Sequence, residues 1–160
     1  AVAGVLSSTL PDINMVSAAT IARDKGIAIT ETKKDEHSAY ESYIRINLVS
    51  KKEKFSIGGT IFSDGHPRIV QINGINLEAG LMPNMLYVTN KDVPGLIGSL
   101  GNILGDEKIN IASFNLGRTG PLKDAMALIG VDKAVNENVI KEVEKLDSVV
   151  QVKSLNFNII

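Results

Sequence analysis

The sequence contains no cysteine, no excess of either charge and no long apolar run, and each absence excludes a class of protein. Without cysteine there are no disulfides, no cysteine-ligated zinc and no catalytic thiol. The formal net charge of −1 provides no basic surface for nucleic acid or an anionic membrane. The apolar runs fall far short of the roughly 20 residues that a membrane-spanning helix needs. We therefore expect no nucleic-acid partner, no membrane partner and a cytoplasmic location.

The chain also lacks an initiator methionine and begins directly with an apolar stretch, AVAGVLSS. This stretch has neither the charged start nor the long apolar core of a secretory signal peptide. Intact domains more often begin with a polar, loosely held segment. We therefore expect a fragment of a longer protein, truncated at its N-terminus.

Recognisable motifs for catalysis are missing as well. The chain has no GxGxxG dinucleotide-binding motif. Its two histidines, His37 and His66, lie in the polar segments KKDEHSAYES and SDGHPR, where solvent exposure is far more common than catalysis or metal binding. The sequence thus predicts no catalytic residue, no metal site and no cofactor within these residues.

The composition that is present is typical of a globular protein, with 160 residues, 44% hydrophobic and 22% charged. This length suits one ordinary domain or two small ones. The apolar pattern breaks at EAGLMPN, where Gly80 and Pro83 interrupt it. We therefore predict a first domain at residues 1–80 and a second at residues 84–160.

The first domain is predicted to form a small α+β layer, in which one sheet packs against a helix. Residues 2–8 are predicted to form a strand, and PDINMVSAATIARDKG a helix with Asp12 near its N-cap and Gly26 as its stop. A meander of strands follows in YIRINL, EKFSIGGTIF, RIVQI and INLEA. The alternation of YIRINL predicts a half-buried strand, and Asn73-Gly74 predicts a tight type I′ hairpin.

The second domain has the order βαββαβ, which predicts a four-stranded antiparallel sheet with both helices on one face. The predicted elements are strand 85–89, helix 95–107, strand 110–117, strand 125–131, helix 136–147 and strand 149–157. Asn136 is the expected N-cap of the second helix. Two apolar stripes mark the helices: Leu96, Ile97, Leu100, Ile103 and Leu104 on the first, and Val139, Ile140, Val143 and Leu146 on the second. The fold class is therefore α+β, with a ferredoxin-like second domain.

The first of these helices contains an unusual number of glycines. Gly98 and Gly101 lie opposite the apolar stripe, and Gly105 is the expected C-cap. Each internal glycine costs roughly 1 kcal/mol relative to alanine. A missing side chain lets a ligand or another subunit approach closely, so we expect such a contact on this face.

The start of the same helix has the chemistry of a site for a zwitterion. Pro94 suits the first helical position, and Gly95 leaves the following N–H groups uncovered for a carboxylate. Asp92 supplies a negative charge for an ammonium group. The alternative is that Asp92 merely caps the helix and that Asn110 is a polar turn residue.

These features are shared with known proteins. Residues 84–160 resemble an ACT domain, a regulatory module that binds amino acids, through MLYVTNKDVPGLIGSLGNIL and INIASFNL. RIVQINGINLEAGLMPNMLYVTNKDVPG is similar to the junction between the intervening and ACT domains in the long form of D-3-phosphoglycerate dehydrogenase. AVAGVLSSTLPDINMVSAATIARDKGI and GGTIFSDGHPRIVQING resemble the intervening domain, an allosteric substrate-binding-like module. The resemblance covers essentially the whole chain.

The resemblance implies that L-serine, or another small amino acid, binds between two ACT domains of a homo-oligomer. The effector-binding residues that it implies are Asn90, Asp92, Val93, Pro94, Gly95, Leu96, Asn110 and Ile111. Asn110 would come from the second subunit, Ile109 and Ile111 would form apolar walls, and Asn90 stands where relatives often carry His or Tyr. In this family a catalytic region that is missing here oxidises 3-phosphoglycerate with NAD.

The resemblance also implies a second anion site in some intervening domains. Arg68 occupies a basic position of that kind, whereas Gly80 and Gly130 stand where its partners are expected. The alternative is that Arg68 is a solvated strand residue.

Two other functions are compatible with the sequence. The same modules occur in the small subunit of iron–sulfur L-serine dehydratases, although GGTIFSDGHPRIVQING fits the dehydrogenase better. The chain would otherwise be a structural dimerisation module that binds no ligand.

Overall fold

The computed structural model describes residues 2–7, 9–10, 12–33, 40, 42–120 and 124–157. The chain divides into two compact units, Ala1–Ser38 and Ala39–Ile160. His37 lies outside the described residues, so its predicted exposure stays a prediction. None of the helices in the described ranges is long and apolar enough to cross a membrane.

The first unit contains two short helices, α1 (Val2–Leu6) and α2 (Ala18–Asp24). The prediction of a strand at residues 2–8 is therefore wrong. A short apolar run does not distinguish a strand from a helix, and Ala and Leu favour the helix. Local hydrogen bonds such as that from Ser7 N–H to the Ala3 carbonyl, at 2.9 Å, satisfy the backbone without a partner strand.

The helix α2 is shorter than predicted and does not begin near Asp12. The side chain of Asn14 accepts hydrogen bonds from the backbone N–H groups of Val16 and Ser17, each at 2.9 Å. Asn14 thus satisfies the N–H groups of the turn that leads into α2, and the Ala18 N–H donates to the Asn14 carbonyl at 3.0 Å, so the predicted cap at Asp12 is wrong. The predicted stop is confirmed, since Gly26 has a left-handed φ of 72° just after the helix.

The second unit begins with an antiparallel meander. Its strands are β1 (Tyr43–Val49), β2 (Lys54–Ile61), β3 (Pro67–Ile72) and β4 (Ile75–Gly80), and they lie in that order in the sheet. Asn73 and Gly74 join β3 to β4 with φ values of 49° and 81°. Both values are positive, as a type I′ turn requires, so the predicted hairpin is confirmed.

The strand β1 is much more exposed than its sequence predicts. Ile44 is 69% exposed and Leu48 is 43% exposed, so the prediction of a half-buried strand is wrong. The alternating residues do share one face, but β1 is an edge strand that packs mainly on β2. Alternation identifies the apolar face and does not decide whether another element covers it.

The second sheet has the predicted βαββαβ arrangement. Its elements are β5 (Asn84–Lys91), α3 (Leu96–Asp106), β6 (Ile111–Arg118), β7 (Asp124–Val131), α4 (Glu137–Glu144) and β8 (Val149–Asn156). All strand pairs are antiparallel in the order β6-β7-β5-β8. The α+β fold class and the ferredoxin-like order are therefore confirmed. The cap is confirmed too, because Asn136 Oδ1 accepts from the backbone N–H groups of Asn138 and Val139, each at 3.0 Å.

The second sheet is covered on both faces. On one face the two helices pack against the strands in a core that includes Leu86, Leu100, Ile129 and Val143. On the other face, residues of β5 and β7 pack against β3 and β4 of the first sheet. Tyr87 lies in this second cluster, and burial raises the pKa of its hydroxyl. The two sheets thus share a core within one unit.

The close contact between the sheets depends on a glycine. A Cβ added to Gly117 in β6 would lie 2.7 Å from the Asn76 carbonyl oxygen and 2.7 Å from Ile75 Cγ2 in β4. Such distances are far inside van der Waals contact, so only glycine lets the β4 backbone approach here.

Two predictions about α3 are wrong in detail. Gly105 lies inside the helix, which ends at Asp106, and Lys108 adopts the left-handed conformation after it with a φ of 54°. Ile97 was placed in the buried stripe but is 55% exposed. Leu96, Leu100 and Leu104 are buried, so the contact face of the helix is narrower than the apolar pattern suggests.

Candidate functional site

A small cavity lies where β5 ends and α3 begins. It is lined by residues 92–98 together with Asn90 and Leu116, and its volume is about 160 Å³. Pockets for drug-sized ligands measure roughly 300–1,000 Å³. This cavity is therefore suited to a ligand considerably smaller than those.

The segment between β5 and α3 explains how the cavity forms. Val93 N–H donates to the Lys91 carbonyl at 2.8 Å, which places Asp92 in the middle of a tight turn. Gly95 then has a φ of 102°, a left-handed conformation that suits glycine, and α3 begins at Leu96. Pro94 therefore precedes the N-cap, and its predicted place at the first helical position is wrong.

The first turn of α3 provides donors for an anion. The first N–H groups of a helix have no acceptor within the helix. Gly95 occupies the N-cap, and no side chain in the described ranges caps it. The alternative that Asp92 caps the helix is therefore wrong, and the residues of this first turn, Leu96, Ile97 and Gly98, are among those that line the cavity.

Asn90 supplies an acceptor from the end of β5. The residue is 3% exposed, and its Nδ2 donates to the Lys91 carbonyl at 2.7 Å. Its Oδ1 is buried without a hydrogen-bond partner among the described residues. Such a buried acceptor costs about 1–3 kcal/mol when it stays unsatisfied. A ligand with an N–H or O–H group would satisfy it.

Asp92 supplies the negative charge, and an arginine stands next to it. Arg118 Nη1 lies 3.5 Å from Asp92 Oδ2, with the aspartate side chain 18% exposed and the arginine side chain 61% exposed. Arg118 was not among the predicted site residues. It comes near Asp92 because β6 and β5 both pair with β7, where Arg118 and Asn90 lie on either side of Ala125. No local pattern in the sequence indicates this proximity.

The structure does not bring Asn110 and Ile111 to this cavity. Ile111 and Arg118 are the first and last residues of β6, about 23 Å apart at about 3.3 Å per residue. The backbone of Asn110 exchanges hydrogen bonds with Asp132, and Ile109 lies in the core at 5% exposure. The roles of Asn110, Ile109 and Ile111 at a ligand thus stay predictions that need a second subunit.

Arg68 lies in β3, in a different environment. It donates to both carboxylate oxygens of Asp64, at 3.1 and 2.6 Å, and its Nε lies 3.6 Å from Glu78. Its guanidinium also lies over the ring of Phe62, 4.5 Å from the centroid. The hydrogen bond from Arg68, with a second from His66 N–H, holds the pKa of Asp64 well below its usual range. An anion at Arg68 would compete with these acids, and the anion site stays a prediction.

The remaining histidine has the predicted environment. The side chain of His66 is 78% exposed in the turn between β2 and β3, with its ring Nδ1 3.5 Å from Asp64 Oδ1. Its predicted solvent exposure is confirmed.

Comparisons with known proteins agree with this architecture. Residues 1–73 match the family described as the D-3-phosphoglycerate dehydrogenase intervening domain, and residues 84–148 match the ACT domain family. Two relatives named D-3-phosphoglycerate dehydrogenase come from Methanocaldococcus jannaschii and Bacillus subtilis. They are 34% and 29% identical to this chain over 156 and 144 residues.

The alignments cover most of this chain but only a small part of each relative. The alignments include 96% and 90% of this chain but only 29% and 27% of the relatives' own length. A relative of the same name from Synechocystis is 29% identical over 91% of this chain and 26% of its own length. The chain therefore spans less than a third of the relatives that it matches. The two family models match successive parts of the chain, and these relatives resemble it over nearly its whole length, so the chain is similar to the intervening and ACT domains of D-3-phosphoglycerate dehydrogenases.

Proposed function

We propose that this chain is the regulatory part of a D-3-phosphoglycerate dehydrogenase and that its ACT domain binds L-serine, the end product of the pathway that this enzyme begins. The parent enzyme would oxidise 3-phosphoglycerate to 3-phosphohydroxypyruvate with NAD in the cytoplasm, using a catalytic region outside these residues. The observation that carries the proposal is the small cavity at Asn90 and Asp92, which combines a carboxylate, uncapped helix N–H groups and a buried acceptor.

The chemistry of the cavity suits a small hydroxy amino acid. The ammonium group would pair with Asp92, and the carboxylate would accept hydrogen bonds from the first turn of α3. The hydroxyl group would donate to Asn90 Oδ1, a buried acceptor for which the described part of the chain provides no hydrogen-bond partner. Each polar group of serine thus has a complementary group at the cavity wall.

The edge strand β6 supports association of two copies. It is one of the two outer strands of the second sheet, and Leu116 beside the cavity is 41% exposed. Edge strands of two copies related by a two-fold axis pair antiparallel. Such pairing brings Asn110 and Ile111 of one copy towards the Arg118 end of the other. The predicted contribution of Asn110 from a second subunit is consistent with this geometry.

A site shared between copies also explains regulation. Serine would stabilise the arrangement in which both halves of the site are together, because separating them destroys the site. Feedback inhibition then requires only that this arrangement differs from the active one in serine affinity.

The test is calorimetric titration of the chain with L-serine, with glycine and D-serine as comparison ligands. We expect saturable binding of L-serine that Asp92→Ala and Asn110→Ala abolish. Asp106→Ala, an exposed acid at the far end of α3, is the matched control and should bind normally. Sedimentation with and without serine measures association in the same samples.

Two results would overturn the proposal. Absence of heat at millimolar serine, from folded and associated protein, would favour a structural dimerisation module. Normal binding and association by a Gly98→Leu variant would contradict the close approach expected at this helix face. The relatives described above are named dehydrogenases, which favours a dehydrogenase over the L-serine dehydratase alternative.

A further inference from the structure

The Asp92–Arg118 pair at the cavity suggests a role for Arg118 that the family resemblance does not assign. We propose that Arg118 determines ligand specificity by pairing with the carboxylate of an amino acid whose ammonium group pairs with Asp92. This inference rests on the proposed function of the cavity as an amino-acid site. It adds that the site selects zwitterions over simple amines because of Arg118.

Arg118 lies on β6 beside the cavity, close to the strand residue that lines it. Leu116 lines the cavity, and Arg118 lies two residues further along the same strand. Alternate residues of a strand point to the same face, so both side chains leave β6 on the cavity side. Gly117 between them faces β4 instead. Arg118 is therefore within reach of a ligand held at Asp92.

The contact between Arg118 and Asp92 is loose enough to rearrange. Nη1 and Oδ2 are 3.5 Å apart, and the arginine side chain is 61% exposed. Exposed ion pairs of this kind contribute little to stability, so the guanidinium can turn without a large loss. Lys91, which directly precedes Asp92 in the sequence, already pairs with Asp124 at 2.6 Å. Among the described residues, Arg118 is the cation that forms an ion pair with Asp92, so it is well placed to meet a ligand there.

The charges of the pair are the complement of an α-amino acid. Such a ligand carries an ammonium group and a carboxylate on one carbon atom, and the pair offers a carboxylate and a guanidinium side by side. With the ligand bound head to tail, all four charges are paired. A carboxylate has two oxygens and several lone pairs, so it can accept from Arg118 and from the first turn of α3 together. An amine without a carboxylate would instead put a second cation beside Arg118. Arginine also donates two parallel hydrogen bonds to a carboxylate, which lysine does not.

The test compares L-serine with L-serinamide, in which a neutral amide replaces the carboxylate, at a pH where both amines are protonated. Titrations use the wild-type chain, Arg118→Gln and Arg118→Lys, with the exposed Arg45→Gln as control. We expect Arg118→Gln to weaken L-serine binding about tenfold or more, as loss of a charged hydrogen-bond partner does. Its affinity for L-serinamide should stay the same or rise, because the substitution removes the cation that repels an ammonium ligand without a carboxylate. Arg118→Lys should restore part of the serine affinity.

The outcomes separate this inference from the function on which it rests. Equal serine binding by wild type and Arg118→Gln would overturn the role of Arg118 and leave the amino-acid site intact. Equal losses for serine and serinamide in a folded Arg118→Gln variant would also overturn it, since Arg118 would then only position Asp92. Failure of the wild type to bind either ligand would overturn both proposals.

Discussion

The two sheets of the second unit carry similar apolar residues but are covered very differently. In the second sheet, seven of the eight residues of β7 are buried, because helices cover one face and the first sheet covers much of the other. In the first sheet, β1 has no buried residue, and its apolar face carries Ile44 at 69% exposure. The difference shows that the apolar alternation of a strand does not decide whether the strand is buried, because burial requires a second layer of structure to cover it.

The exposed face of the first sheet forms an apolar groove. A shallow groove of about 370 Å³ runs along β1, β2 and β3, with isoleucine side chains from all three strands in its wall. Apolar surface of this kind is normally covered by another element or partner. The comparison between the two sheets can be tested by changing residues whose burial differs.

The largest loss of stability is expected from a substitution in the core beneath the second sheet. Leu100→Ala removes a fully buried side chain from α3 and should lower the free energy of unfolding by about 2–5 kcal/mol. Ile44→Ala in β1 should change it by less than about 0.5 kcal/mol. Chemical denaturation of both variants measures the difference. A large loss for Ile44→Ala would mean that the face of β1 is covered in solution.

The second-largest loss of stability is expected at the contact between the two sheets. Gly117→Ala places a methyl group 2.7 Å from the Asn76 carbonyl and should cost about 1–3 kcal/mol, as overpacking does. Gly101→Ala is the matched control, because a Cβ there meets no atom of the described residues within 4 Å. The control should be neutral or stabilise the chain by up to about 1 kcal/mol. Equal stability of the two variants would contradict a tight contact between β4 and β6.

A smaller effect is expected where α4 covers the second sheet. Asn136→Ala removes the side chain that accepts two N–H hydrogen bonds and should cost about 1 kcal/mol. Asn138→Ala, in the first turn of the same helix, keeps the cap and should change stability by only a few tenths of a kcal/mol. Thermal unfolding in parallel distinguishes them. Similar melting temperatures would show that the cap contributes nothing.

The smallest effect is expected at the surface of the first sheet and depends on pH. Arg68 and the His66 N–H lower the pKa of Asp64, so the ionised group favours the folded state above about pH 4. This contribution is lost as the pH falls below that value. Asp64→Asn should therefore be less stable than wild type at pH 7, and the two should converge towards pH 2. Urea denaturation across this range checks the convergence, and a constant difference would contradict it.

Much of the fold could be predicted because its signals are local. The hairpin at Asn73–Gly74 and the cap at Asn136 each depend on a few neighbouring residues. The failures in the first unit are local as well. The short apolar run of α1 fits a strand or a helix, and α2 follows a turn that Asn14, and not Asp12, stabilises.

The candidate site could be predicted only in part, because part of it comes from a distant strand. The segment from Asp92 to Gly95 follows from residue types that favour a helix start and an anion site. Arg118 joins it through the register of β6, β7 and β5. The burial of Asn90 Oδ1, which has no hydrogen-bond partner among the residues that the structure describes, depends on how the end of β5 packs. The predicted roles of Asn110 and Ile111 still require a second copy to be tested.

The sequence by itself determined the order of the strands and helices in the second unit and the tight hairpin. It also determined that an aspartate lies shortly before the start of α3. Turn conformation and helix capping act over only a few residues, and apolar periodicity is visible within one element. The tertiary structure alone decided three properties: β1 is exposed, the β4 backbone packs closely against Gly117, and Arg118 lies beside Asp92. These properties depend on which strands pair, in which register and under which cover, and such contacts join residues that are far apart in the chain.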